Sequence, residues 1–116
     1  KFVLKCEKIM KGGEIFVPKI PSYRILDLLN AIQKNPKYKM IGIRPGEKLH
    51  EEMITESDSL NTQEFKDYFI IHPSFRKYKS NIKKIFSYNS LDNKKYLKTN
   101  ELSNLINENI KDFTND

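Results

Sequence analysis

Arg44-Pro45-Gly46-Glu47 is the segment whose residue types and spacing carry the most chemistry. The apolar run Tyr38 to Ile43 before it reads as a strand, and Pro45 suits the first position of a helix. A helix start points unpaired backbone N–H groups outward, which makes it an anion site. An arginine at that corner adds a planar, permanently charged fork suited to phosphate. Gly46 lets a ligand approach the backbone closely. Glu47, three residues past Arg44, can accept hydrogen bonds from a sugar hydroxyl. Together these residues suit a diphosphate beside a sugar. They equally fit a structural reading, with Arg44 paired to a carboxylate, Glu47 facing the helix dipole and Pro-Gly shaping the turn.

The other chemistry-bearing residues point more weakly. His50-Glu51-Glu52-Met53-Ile54 resembles a zinc-binding His-Glu-x-x-His helix, but Ile54 stands where the second histidine would be, so no metal is expected. His50 and His72 are possible general bases. The expected places are a helix surface or interface for His50 and a strand end for His72. Cys6 is expected in the core, because a reactive thiol needs an exposed, electropositive setting. The carboxylates Glu51, Glu52, Glu56 and Asp58 read as a solvated face, and Lys19 between two prolines as a loop residue. No Ser-His-Asp constellation stands out.

The elements that must position these residues follow from periodicity and punctuation. Phe2 to Met10 reads as a helix end stopped by Gly12-Gly13. Glu14 to Pro18 reads as a strand. Ser22 is the expected N-cap of a helix carrying Ile25, Leu26, Leu28, Leu29 and Ile32 and ending near Pro36. After the strand 38–43, a helix is expected from Pro45 to Ile54, with Leu49 and Met53 on its buried face. A polar loop at 55–61, a strand at Tyr68 to Ile71, a basic loop at 74–84 and a short strand at Ile85 to Tyr88 follow. Thr99 is expected to cap a last helix bearing Leu102, Leu105, Ile106 and Ile110, with 111–116 a frayed tail. The fold class is α+β.

Composition excludes several classes. The 116 residues are 38% apolar and 31% charged, which supports one modest core and argues against whole-chain disorder. One cysteine excludes a disulfide scaffold. No apolar run reaches membrane-span length and no secretory signal is evident, so a cytoplasmic setting without membrane contact is expected. The first residue is not Met and lies inside an apolar-periodic segment, which reads as a piece of a longer protein. The net charge of +6 suggests nucleic acid. The excess is nearly all Lys, however, with Arg only at 24, 44 and 76, and Ile and Asn are abundant too, as A/T-rich coding would give. Residues 75–98 carry eight basic side chains against one acidic, interleaved with aromatics. A basic polyanion-binding module therefore stays as an alternative.

Three segments together resemble a known family: Gly13-Glu14-Ile15-Phe16-Val17-Pro18-Lys19-Ile20-Pro21-Ser22, Ile41 through Ile54 around the Arg-Pro-Gly-Glu core, and Asp67-Tyr68-Phe69-Ile70-Ile71. Their order and spacing resemble the C-terminal part of nucleotide-sugar dehydratases, above all the inverting UDP-N-acetylglucosamine 4,6-dehydratases of bacterial polysaccharide and flagellar-sugar synthesis. Ser87-Tyr88-Asn89-Ser90 and Tyr96-Leu97 are similar to that family's tail. The resemblance implies that residues 1–116 form the substrate-binding C-terminal region of an extended Rossmann-type enzyme, with 1–10 ending a helix of a preceding part. It implies a preceding Rossmann domain that holds NADP and the catalytic residues, a UDP-sugar substrate and a homo-oligomer. The implied reaction oxidises the sugar at C4, eliminates water across C5–C6 and returns hydride to C6 with inversion at C5. Arg44 is implied as a ligand of the UDP phosphates and Glu47 as a ribose contact. UDP-N-acetylglucosamine 4-epimerisation on the same scaffold is the near alternative. The chain has neither Gly-x-Gly-x-x-Gly nor Tyr-x-x-x-Lys, so the resemblance assigns it no catalytic or cofactor-binding residue.

Overall fold

The computed structural model describes residues 1–113, with side chains through Ile110. The chain divides into two compact units: Lys1–Ile20 with His50–Asp92, and Pro21–Leu49 with the chain from Asn93 onward. Both mix helix and strand, as the α+β expectation requires.

The first unit opens with helix α1 (Phe2–Ile9), which buries none of its residues. Gly12 and Gly13 follow with φ of +106° and +83°, a conformation that costs glycine little, and turn the chain into strand β1 (Ile15–Pro18). Strand β3 is Glu52–Ile54, α3 a single helical turn at Glu56–Ser59, β4 Thr62–Glu64, β5 Tyr68–Ile71 and β6 Tyr88–Asn89. The main sheet has the order β1-β5-β4, antiparallel throughout, with Val17 opposite Phe69 and Gln63 opposite Ile70. β3 and β6 form a separate antiparallel pair with a register irregularity. Val17, Ile54 and Phe69 form the core, and Ile71, Phe86 and Tyr88 pack against it. Ile54 is fully buried, so truncating it to Ala costs about 2–5 kcal/mol.

Side chains finish what the short strands leave open. The Asn81 amide accepts from the Glu64 N–H (2.9 Å) and donates to the Glu64 carbonyl (2.7 Å), doing at the outer edge of β4 what a further strand would do. The Tyr88 hydroxyl bonds both Ile20 backbone groups, at 2.9 and 3.0 Å. That pins the end of the Pro18-Lys19-Ile20 segment, whose proline lacks an N–H of its own.

In the second unit, β2 (Ser22–Tyr23) runs parallel to β7 (Tyr96–Leu97), and helix α2 (Ile25–Ile32) lies against helix α4 (Thr99–Phe113). Leu102 is buried there, and the Thr99 hydroxyl meets the Asp27 carboxylate at 3.2 Å. Glu101 accepts the Lys98 N–H at 2.8 Å, half of a capping box.

Several expectations are corrected. Residues 38–43 form no strand, and no helix spans 45–54. Gly42 and Gly46 adopt φ of +77° and +86°, outside both regular conformations, and Leu49 and Met53 are exposed rather than on a buried face. Ser22 is a strand residue. Its N–H donates to Lys95 and its hydroxyl accepts from Asn93, and α2 starts after Arg24 with no side-chain cap. Thr99 lies inside α4 rather than capping it. The loop 55–61 contains α3, capped by Thr55. The strand expected at 85–88 is Tyr88–Asn89. Of the tail 111–116, helix α4 takes residues through Phe113, and 114–116 lie outside the described residues.

Candidate functional site

Arg44, Pro45, Gly46 and Glu47 form a type II β-turn in the second unit. The Glu47 N–H closes it on the Arg44 carbonyl at 3.0 Å. Pro45 presets the first central position, and Gly46, at φ +86°, supplies the left-handed second one. The Glu47 carboxylate folds back to accept the Arg44 N–H at 2.9 Å and lies 3.8 Å from the Arg44 Nε. The turn is thus locked twice over, by its own backbone bond and by the glutamate. Its two side chains remain 70% and 51% exposed. The anion site expected from a helix start is not formed, because no helix starts here and the N–H groups of Arg44 and Glu47 are spent inside the turn. What the turn offers an anion is the guanidinium fork, with a carboxylate beside it that keeps lone pairs for a hydroxyl donor. Among the described residues Arg44 makes no other ion pair.

The other sequence candidates have local partners. His50 begins no helix; its Nδ1 lies 3.4 Å from the Ser90 hydroxyl, which accepts the Glu51 N–H at 3.0 Å. Glu52 accepts from Ser87, and Asp58 from Thr55. No group of three or more His, Cys, Asp or Glu among the described residues is placed to hold a metal ion. Cys6 is half-buried and free, not in the core. Lys19 pairs with Glu64 at 2.6 Å and sits 4.6 Å from the centre of the Phe69 ring, which favours its structural reading.

In the basic stretch 75–98 Tyr78 and Tyr88 are already engaged, whereas Phe75 is exposed. Tyr78 stacks on His72 with ring centres 4.1 Å apart and donates to the Leu60 carbonyl, and Tyr88 holds Ile20. These rings are not free platforms for bases. Arg76 bonds the Glu14 carboxylate at 2.5 Å and the carbonyls of Lys11 and Gly12. Two grooves lie along this stretch. One, of about 380 Å³, has Phe69, Phe86 and Ile82 with Lys83 and Lys84 in its walls; the other, of about 170 Å³, shares Ile82, Lys83 and Lys84.

Two groups in the first unit have shifted titration: His72, which the sequence marked as a possible general base, and Glu14, which it did not single out. Burial pushes the Glu14 carboxyl up, but the N–H groups of Glu14 and Lys11, the Arg76 charge and the Gly12 N–H outweigh it and hold Glu14 below the usual carboxylate value. Burial lowers the His72 pKa; Glu14 raises it, and Arg76 and Lys11 lower it further. Only the folded chain brings residues 11–14 to 72–76, so local spacing carried no signal for either shift.

Known proteins place this chain in a family. A family model described as polysaccharide biosynthesis protein matches residues 1–73, which include the Arg44 turn. Two proteins of Campylobacter jejuni subsp. jejuni, of serotypes O:2 and O:23/36, are both named UDP-N-acetylglucosamine 4,6-dehydratase (inverting). They are 43% and 42% identical to the chain over 121 residues, covering 92% of it and 36% of their own length. A Methanocaldococcus jannaschii protein, named as an uncharacterized membrane protein, is 40% identical over 93% of the chain and 35% of its own length. Among the described residues here, no helix is long and apolar enough to cross a membrane. The X-ray structure of Pen from Bacillus thuringiensis superposes with a TM-score of 0.72 at 35% identity, over 91% of this chain and 33% of that one. The chain thus spans about a third of the length of the curated relatives it matches. The matches agree with the resemblance read from the sequence, and the chain belongs to the polysaccharide biosynthesis protein family.

Proposed function

We propose that this chain is the nucleotide-sugar-contacting region of a UDP-N-acetylglucosamine 4,6-dehydratase that works in the cytoplasm. The observation that carries the reading is the doubly locked turn, which holds the Arg44 guanidinium exposed and, among the described residues, free of any ion pair except Glu47. A fixed backbone with a free, permanently charged fork is what diphosphate binding requires. In this reading Arg44 takes the diphosphate of the UDP-sugar, and Glu47 accepts from a ribose hydroxyl with the lone pairs the turn leaves unused.

Oxidation at C4 and return of hydride at C6 require a nicotinamide cofactor, NADP in this proposal. The residues here do not fit it, because the chain carries neither the glycine-rich dinucleotide loop nor the Tyr-x-x-x-Lys pair. No redox step is therefore assigned to this chain. The cofactor, the catalytic residues and a homo-oligomeric assembly belong in this proposal to a preceding Rossmann domain.

The test joins the chain to the upstream region of a Campylobacter jejuni relative and supplies UDP-N-acetylglucosamine with NADP. NMR of the product is expected to show a 4-keto-6-deoxy sugar. A C4 epimer would replace the dehydratase reading with an epimerase. An Arg44→Ala fusion that keeps the parent KM would remove Arg44 from the site.

A further inference from the structure

His72 follows strand β5, and its ring is bracketed by two elements. On one side Gln63 of β4 meets Nε2, with its Oε1 at 3.1 Å. The Gln63 amide orientation is set independently, because its Nε2 donates to the Lys79 carbonyl at 3.3 Å. Oxygen therefore faces the ring, the imidazole proton sits on Nε2, and Nδ1 carries a bare lone pair. That Nδ1 is buried and has no hydrogen-bond partner among the described residues. On the other side Tyr78 stacks on the ring at an interplanar angle of 20° and ties itself to Leu60 through its hydroxyl.

The segment so held is anchored at both ends by other means. Arg76 is fixed by Glu14 and two carbonyls, and the Phe86 N–H donates to the Ser59 hydroxyl. Between these anchors the chain touches the sheet through Tyr78 on His72, Lys79 on Gln63 and Asn81 on Glu64. A proton on Nδ1 would place an N–H where no acceptor exists, at the full desolvation cost of an unpaired buried donor. The charged groups facing the ring give little relief. Arg76 and Lys11 repel the added charge, and the one anion, Glu14, is already taken by Arg76 and the Lys11 N–H.

We propose that His72 is a proton-operated latch: its neutral ring holds segment 77–85 on the β4 edge of the sheet, and protonation at Nδ1 frees that segment. Release withdraws Asn81 from Glu64, which bares two backbone groups at the sheet edge. It also moves Ile82, Lys83 and Lys84, which wall both grooves.

The Glu64 N–H reports the latch, because its partner is the Asn81 side chain, whereas Phe69 of β5 is paired to β1. On this chain, long-range ¹H–¹⁵N NMR of His72 should show the Nε2–H tautomer and a midpoint below 6.5. Hydrogen-exchange protection at Glu64, corrected for the intrinsic pH dependence, should fall by up to tenfold per pH unit across that midpoint while Phe69 holds. His72→Gln should make Glu64 protection independent of pH, and Tyr78→Leu should lower it already at pH 7.5. An Nδ1–H tautomer, Glu64 protection unmoved through the His72 titration, or an equal fall in His72→Gln would overturn the proposal.

Discussion

Two arginine–glutamate pairs in this chain share the same chemistry and do opposite things. Arg76 meets Glu14 at 2.5 Å with side chains 24% and 4% exposed, and its Nη2 donates to the Lys11 and Gly12 carbonyls. Arg44 lies 3.8 Å from Glu47 with side chains 70% and 51% exposed, and makes no further ion pair among the described residues. The first pair closes a contact between residues 62 apart, the second one between residues three apart. An arginine whose donors are consumed inside the fold holds structure. One whose backbone is fixed while its fork stays open can hold a ligand.

The largest effect expected from breaking this contrast is on stability. Arg76→Ala removes two charge-assisted bonds to carbonyls, each worth about 1.5–3 kcal/mol, as well as the Glu14 contact. The thermal midpoint should fall by roughly 10 °C or more, at 4–8 °C per kcal/mol for a domain of this size. Arg44→Ala should move it by no more than a few degrees, because an exposed side chain away from the core contributes within about 0.5 kcal/mol. Calorimetry on the two variants separates them, and equal midpoints would erase the distinction.

Next in size is binding. In the fused enzyme, Arg44→Ala should weaken UDP-N-acetylglucosamine by about 1.5–3 kcal/mol, roughly ten- to more than a hundredfold. Isothermal titration with the substrate reads this directly. Glu47→Ala should also weaken binding, since it unlocks the Arg44 backbone as well as removing a hydroxyl acceptor.

The Arg44 turn shows what was legible in the sequence and what was not. The residue types singled out Arg44 and Glu47 as candidates but fitted a structural reading equally well, and it was the family resemblance that favoured a ligand contact. The element around them was misread. Pro45 fits both the first turn of a helix and the first central position of a type II turn, and only the φ of Gly46 decides between them. The helices α1, α2 and α4 and the strands β1 and β5 were visible, since each carries a clear period or an apolar run. Strands of two or three residues, such as β2, β4 and β7, are too short to show a period and exist only through partners far along the chain. The Glu14–Arg76 clasp and the Gln63–His72–Tyr78 bracket were illegible for the same reason.

Acid should dismantle the inner pair. The Glu14 carboxyl lies below its ordinary 4.5 in the folded chain, so the unfolded chain binds the proton first as pH falls. Its contribution is complete above about 4.5 and is lost as pH drops through the folded value. His72 acts higher. Its pKa is below 6.5 when folded, so stability is complete above 6.5 and declines beneath it. Thermal midpoints measured from pH 8 to 3 should therefore fall in two stages. Glu14→Gln should remove the lower stage and His72→Gln the upper. A single stage that both variants leave unchanged would contradict these assignments.

The smallest effect tests whether proximity alone makes a pair structural. Lys19 meets Glu64 at 2.6 Å, nearly as close as Arg76 meets Glu14, but its side chains are 28% and 49% exposed. Water competes for both charges, and a flexible ammonium loses entropy when it is held in one place. Glu64→Gln keeps the backbone bonds to Asn81 and the Lys19 position over Phe69, and removes only the charge attraction. The expected cost is about 0.2–1 kcal/mol, fading in molar salt. A denaturant titration that instead gave a loss as large as that of Arg76→Ala would mean that short distance, rather than burial and the number of donors consumed, decides which pairs hold this fold together.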